Sequence, residues 1–429
     1  MSIYNDASLI FYPSGYKAGT AYSLKPTDGS GDLTFTRAST ATRVNESGLI
    51  ELVAANVPRL DNSQGGCSTL LLEPQRTNLI LRSEDFSNAY WIKSGSSVVS
   101  GFTSPDGTTN AFKLVEDTST GRHETQAPSS SSGDLSISFF AKKGENSFIQ
   151  ITNSQDPVAY ANFDLNFGVL GSSNIFTPTI IDYGNGWYRC IATINAPSAI
   201  NFARIGLITS STSARVESYT GDGTSGIYIY GAQLEANASY PTSYIPTTST
   251  AVTRTQDSAS KTPISSFLNT ANPFTFYLNF ERPDAIQSST GYQMIGLDNG
   301  GYGQRIKLLN RGNQKQFTIE VYDGVTLSQT SAITNTPNIK VAIVYDGSTS
   351  YKVFHNGVLF QTLTNSATTL TRLISGENGT NYTKENYQSI MIFPTALSDD
   401  DLTLLTGTLG ETYFESYALM ANYLNYTIQ

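Results

Sequence analysis

Cysteine and histidine are nearly missing from this 429-residue chain, with two of each. Cys67 and Cys190 lie far apart, which argues against a disulfide framework and suits free thiols kept in a reducing compartment. With only His123 and His355, a Ser/His/Asp triad or a His-based zinc site lacks its raw material. His355 precedes Asn356-Gly357 and reads as an exposed turn residue. Charge is also scarce: 14% of residues are charged, the formal net charge is −9, and no basic block occurs. Nucleic acid is therefore excluded as a partner, because neutralising phosphates takes clustered Lys and Arg. No apolar run approaches the roughly 18 residues of a membrane-crossing helix, so no membrane insertion is expected. The opening residues, MSIYNDASLIFYPSGYKAG, lack a basic segment followed by an apolar one, so no signal peptide is expected. Sustained heptads and phosphate-cradling glycine loops are missing too. Paired-carboxylate hydrolysis wants acids alternating along one strand, and none alternates here. Glu320–Asp323 and Glu377-Asn378 come nearest, no β-helical repeat is visible, and the reading is of a chain that is not an enzyme.

Gly, Ser, Thr, Asn and Tyr are abundant, a mixture that suits short strands joined by many turns. Residues 1–82 form a first β-rich unit, with Asp6–Tyr12, Leu33–Arg37, Leu49–Val53 and Ser68–Leu72 as strands. It has few long apolar runs, so it is expected to borrow burial from a partner, either neighbouring copies or a larger particle. Residues 83–250 read as a β-sandwich of the jelly-roll type. Its strands are Leu135–Ala141, Phe148–Thr152, Ala159–Phe163, Thr179–Tyr183, Trp187–Ile194, Ala203–Ile208 and Gly226–Tyr230. Trp91 and Trp187 read as packing residues. A Thr/Ser/Pro-rich stretch, Pro241–Pro263, has the composition of a linker or of a strand hugging the sandwich, with 251–263 separating two modules.

Residues 264–397 read as a second sandwich. Phe274, Phe276, Leu278 and Phe280 alternate onto one face, and Val341–Leu363 is a three-strand meander closed by the hairpin pair Asn356-Gly357. Gln388–Phe393 is the last strand, followed by a short helix capped by Ser398 and begun by Asp399, Asp400 and Asp401. In the closing segment, 398–429, a second helix is expected over Glu411–Leu424, with Tyr413, Tyr417, Met420 and Leu424 on one stripe. The fold class is thus mainly β: two consecutive antiparallel β-sandwiches, an N-terminal β-rich unit and a short C-terminal helix.

Several motifs are too idiosyncratic to follow from composition. They are Phe35-Thr36-Arg37-Ala38-Ser39-Thr40-Ala41-Thr42-Arg43-Val44-Asn45, Gly48-Leu49-Ile50-Glu51, Val57-Pro58-Arg59-Leu60-Asp61 and Leu70-Leu71-Leu72-Glu73-Pro74-Gln75-Arg76-Thr77-Asn78-Leu79. A later pair is Gly231-Ala232-Gln233-Leu234-Glu235 with Pro241-Thr242-Ser243-Tyr244-Ile245-Pro246-Thr247. Together they resemble the N-terminal portion of bacteriophage fibre and tail proteins. The module around Asn185-Gly186-Trp187-Tyr188-Arg189 resembles carbohydrate-binding jelly rolls, and the last sandwich resembles concanavalin-A-like or laminin-G-like lectin domains. The resemblance implies a surface-exposed fibre subunit of a virion, made in the host cytoplasm. It implies a homotrimer, docked to a phage capsid or tail protein through its N-terminal unit and engaging host-surface glycan. Two other roles are weighed beside it: a head-decorating or tail-connecting spacer without sugar binding, and a capsule-degrading spike.

Sugar binding calls for a ring face to stack on and for planar polar groups beside it. Three loops of the last sandwich have that make-up: Asp298, Asn299 and Tyr302; Asn310 with its following Arg311-Gly312-Asn313; and Asn378, Asn381 and Tyr382. No cofactor is required. Oxygen ligands for calcium abound near these loops, although none has the spacing of a defined calcium motif.

Overall fold

The computed structural model describes residues 3–63, 65, 67–154, 158–282, 293–300, 303–310, 316–334, 338–366, 368–376 and 383–407, the side chains of 196–198 apart. The described chain is almost entirely antiparallel β-structure. It divides into two units that interleave in sequence. A split unit combines Met1–Thr40, Val53–Gln75 and Thr255–Gln429, and an inserted unit combines Ala41–Leu52 and Arg76–Arg254.

The split unit is a sandwich of two sheets. One runs in the order Val358–Thr364, Ser350–His355, Asn338–Tyr345, Phe274–Glu281, Glu385–Phe393, Thr69–Leu72 and Leu60–Asp61, with Leu9–Phe11 also paired to Glu385–Phe393. The other includes Leu33–Thr36, Ser258–Lys261, Arg372–Ser375, Gln293–Asp298, Arg305–Asn310, Gln316–Tyr322 and Leu327–Gln329. Side chains alternate across a strand, so Phe274, Phe276, Leu278 and Phe280 all enter the core. The expected meander is present, and its Asn356-Gly357 turn holds both residues at positive φ, 47° and 85°. Ser398 caps the helix Asp399–Thr406, its side chain accepting from the Asp401 N–H. The expected helix at 411–424 lies outside the described residues.

Residues 1–82 do not stand as a unit of their own. Leu9, Phe11, Leu33, Phe35, Leu70 and Leu72 are core residues of the split unit, and the strands that carry them pair with strands from beyond residue 257. The missing burial is thus supplied by the same chain. The motif residues explain the arrangement. Arg59 Nη1 pairs with Glu73 Oε2 at 2.8 Å, Arg59 Nη2 pairs with Asp257, and Arg37 Nη1 reaches Asp257 Oδ1 at 3.1 Å. All four side chains are fully buried. Lys384 Nζ approaches Glu73 Oε1 at 3.4 Å, and Arg37 also donates to the carbonyl of Ala54 at 2.7 Å. Burial works against the charge of Arg59, but Asp257 and Glu73 overcome it and hold the guanidinium protonated above its ordinary range.

The inserted unit is built around two long strands, His123–Lys142 and Trp187–Ile208. Leu135–Ala141 is the second half of the first. Trp187–Ile194 and Ala203–Ile208, expected as separate strands, are the two ends of the second. Register irregularities between Pro128 and Gly133 break the ladder midway, so each strand serves two layers. Its far half pairs with Gly226–Ala236 and Thr177–Asp182, and its near half with Ile92–Ser94 and Phe148–Asn153. Trp91 and Trp187 are buried as expected, and Trp91 Nε1 donates to the Arg82 carbonyl at 3.0 Å.

The other motif residues form a second clasp, made mostly of amides. Asn78 Nδ2 donates to the carbonyls of Ala232 and Ile245 at 3.0 and 2.8 Å, while its Oδ1 accepts from the N–H groups of Ile80 and Leu234 at 3.1 Å. Gln233 Oε1 accepts from Ile245 N–H at 2.7 Å, Glu235 Oε2 from Thr242 N–H at 2.9 Å, and Arg189 Nη1 donates to the Thr242 carbonyl at 2.8 Å. Thr242, Tyr244 and Ile245 are buried, so the start of the Thr/Ser/Pro-rich stretch hugs the sandwich.

Candidate functional site

Asp298 is buried and its carboxylate is engaged within the split unit. Oδ2 meets Arg372 Nη2 at 3.0 Å, Oδ1 contacts Arg372 Nε, and Oδ1 also accepts the Gly300 N–H at 2.9 Å. Asn299 is exposed, its Oδ1 accepting from Gln304 N–H at 3.3 Å. Asn310 is fully buried and accepts from Arg282 Nη2 at 2.7 Å. Asp298 pairs with Arg305 at one end of the strand Arg305–Asn310, and Asn310 sits at the other end, about 17 Å away. Among the described residues, Asp298 and Asn310 therefore do not share one site. Tyr302, Asn378, Asn381 and Tyr382 lie outside the described residues.

Asn310 belongs to a polar end of the sandwich interior. Arg282 follows the strand Phe274–Glu281, and Glu385 and Tyr387 lie on the neighbouring strand Glu385–Phe393. All three are buried, and the Glu385 carboxyl is pushed up to about 7 by burial, against a hydrogen bond from Thr383 and the charge of Arg282. His355 is half-buried rather than exposed. Its ring meets Phe317 edge-on at 5.8 Å, and burial lowers its pKa to about 4.

The inserted unit carries an arrangement that sequence reading missed. Phe139 and Ala141 enter the core, whereas Phe140 lies on the opposite face of the strand and joins Tyr230, Tyr244, Trp187 and Ile50 in a second buried apolar cluster. Half-buried Phe102, Tyr183 and Tyr228 pack on its margin, with Phe102 and Tyr228 ring centroids 4.7 Å apart. Two carboxylates meet the hydroxyls of the buried Tyr230 and Tyr244. Tyr230 Oη donates to Glu84 Oε1 at 3.0 Å or to Asp106 Oδ2 at 3.1 Å, and Tyr244 Oη lies 3.1 Å from Glu84 Oε1. The Asn110 amide lies 3.4 Å from both acids. Burial raises the pKa of Glu84, and the charge of Asp106 adds to it. Burial opposes Asp106 as well, but hydrogen bonds from Ser104 and Thr108 win and hold it low. Half-exposed rings beside fixed oxygen and amide groups can stack on an apolar ring face and orient its hydroxyls. The local signals were the turn Ser104-Pro105-Asp106-Gly107 and the alternation of Tyr228 with Tyr230, yet the acids and rings come from six separate stretches. Among the described residues, no group of three or more His, Cys, Asp or Glu side chains is placed to hold a metal.

No protein-family model and no curated protein sequence matches the chain. Among solved structures, the receptor-binding domain of botulinum neurotoxin D is similar at 17% identity and a TM-score of 0.29. The match covers 35% of this chain and 41% of that one, about two fifths of its length. The CBM40 module of Ruminococcus gnavus IT-sialidase, bound to α2,3-sialyllactose, is similar at 20% identity and a TM-score of 0.26, over 32% of this chain and 83% of that one.

Proposed function

We propose that this chain is a subunit of a bacteriophage fibre, an oligomer and by resemblance a trimer, that holds a virion to host-surface polysaccharide. The observation that carries the glycan reading is the second cluster of the inserted unit, where half-buried Phe102, Tyr183 and Tyr228 pack on the same group as Tyr230 and Tyr244, whose hydroxyls meet Glu84 and Asp106. The virion assignment rests on the resemblance of the motifs. The role is binding without hydrolysis and without a cofactor. Each site is weak, and repetition across subunits supplies effective concentration. Asn299, Tyr302, Asn378, Asn381 and Tyr382 are further contact candidates on the split unit.

The test is binding of the full-length chain to intact host cells and to cells stripped of surface polysaccharide. Binding is expected to vanish on stripping, and to fall at least tenfold in a Phe102→Ala/Tyr228→Ala variant that melts like the parent. Equal binding to both kinds of cell would refute the glycan reading, and release of reducing ends from capsule would refute binding without hydrolysis. A second reading, a spacer within the virion, is favoured by one observation: the motifs that carry the resemblance are internal clasps in both units. Absence of binding to either kind of cell by a well-folded oligomer is the outcome that reading expects.

A further inference from the structure

The polar end of the split unit's interior is left incomplete in its hydrogen bonding. Alternation along the strands places its members. Phe280 and Tyr387 are paired core residues with ring centroids 5.4 Å apart. Arg282, two positions beyond Phe280, and Glu385, two before Tyr387, therefore face the same interior. Leu308 is a core residue of the other sheet, so Asn310, two positions on, faces that interior as well. The bond from Arg282 Nη2 to Asn310 Oδ1, 2.7 Å long, spans the two sheets.

A guanidinium can only donate, so the Asn310 atom that meets Arg282 is the oxygen, and Nδ2 is left for another partner. Among the described residues it has none, and neither have Glu385 Oε1 and Tyr387 Oη. Asn310 and Tyr387 are fully buried, and Glu385 is 1% exposed. Buried polar atoms nearly always find a partner, because an unpaired one carries the whole cost of leaving water. The other buried tyrosines of this core obey that rule. The Tyr345 hydroxyl donates to the Ser348 carbonyl and the Tyr351 hydroxyl to the Ser366 carbonyl, each at 3.1 Å.

The three atoms select what could join them. An amide nitrogen only donates, a carboxylate oxygen accepts, and a tyrosine hydroxyl does either. A cation would face the Asn310 N–H and the Arg282 guanidinium, and an anion would face the Glu385 carboxylate. A hydroxyl oxygen suits all three, with two lone pairs for Asn310 and Tyr387 and one proton for Glu385.

We propose that this end of the split unit binds a hydroxyl oxygen among Asn310, Glu385 and Tyr387, carried by an ordered water or by a small polyol. The site is separate from the aromatic cluster of the inserted unit and does not depend on the glycan reading. Urea titration of the full-length chain at neutral pH, with and without glycerol or glucose, is the test. Tyr387→Phe keeps the ring and removes only the hydroxyl. Its folded-to-unfolded ratio is expected to fall about fivefold, as for Tyr351→Phe, whose hydroxyl has a partner. A variant as stable as the parent, or more stable, would overturn the proposal, because deleting an unpaired hydroxyl relieves its cost. The source of the oxygen is read from two further outcomes. A polyol that stabilises the parent more than the variant identifies itself as the ligand. Equal stabilisation of both, with one long-lived water lost from the variant by oxygen-17 relaxation dispersion, identifies water. Neither a polyol difference nor a lost water would overturn the site.

Discussion

The two units solve one problem with different polar chemistry. Each must fasten a segment distant in sequence onto its sandwich. The split unit does so with buried charges paired to one another, Arg37, Arg59, Glu73 and Asp257, whereas the inserted unit leads with the amides of Asn78 and Gln233 and turns its buried Arg189 and Glu235 to backbone groups. Buried charges make a clasp close to all-or-none, because removing one partner leaves another charge uncompensated where water cannot reach it. Amides fail more gently, since each lost hydrogen bond strands a neutral group.

The sharpest way to break this comparison is Asp257→Asn, which takes the shared carboxylate from both arginines. A loss of about 3–5 kcal/mol is expected. Calorimetry with hydrogen exchange should place it in the split unit and leave protection in the inserted unit unchanged. A loss spread equally over both units would refute the separation. Next comes Glu385, whose pKa of about 7 lies above the ordinary 4.5. Its neutral form is favoured by folding, so its contribution is full below pH 4.5 and is lost as pH rises through 7. Glu385→Gln should match the parent at pH 4 and exceed it at pH 8 by on the order of 3 kcal/mol. His355 has the opposite sign: with a folded pKa near 4, its contribution is full above pH 6.5 and is lost as pH falls through 4. A His355→Phe variant should therefore lose less stability than the parent between pH 6.5 and 4, which urea titrations at the two pH values would show.

In the inserted unit, Asn78→Ala abandons two carbonyls and two N–H groups, and about 2 kcal/mol is expected there alone. A loss as large as that of Asp257→Asn would erase the distinction between charged and amide clasps. The smallest effect should come from Asn356→Ala. It forces alanine to φ 47° in a hairpin turn and should take away about 1 kcal/mol by urea titration.

Much of the local structure was legible. The alternation Phe274-Phe276-Leu278-Phe280, the Asn356-Gly357 turn and the Ser398 cap are encoded within a few residues, where sterics and hydrogen bonding decide the outcome. The division of residues 1–82 between two units was not. It depends on Arg37 and Arg59 meeting Asp257 about two hundred positions later, which no local period records. The engagement of Asp298 and Asn310 was hidden for a related reason. Asp298 and Asn310 have the right chemistry in Gly/Asn-rich turns, but composition cannot tell that Arg372 and Arg282 already occupy their oxygens. Phe102, Glu84, Asp106 and Tyr228 look ordinary where they stand and become a surface only when their strands are laid together.

The interleaved path has a consequence for manufacture. A ribosome releases Leu9, Phe11, Leu33 and Phe35 first, yet the strands that cover them, from Ser258 onward, emerge only after the whole inserted unit has been made. Half of a core must wait, uncovered, while the other unit completes itself. The strands through which the inserted unit departs and returns, Arg76–Asn78 and Val252–Arg254, pair with each other. The stretch Arg76–Arg254 thus has its two ends fastened to each other, so its closure does not wait for the residues that follow.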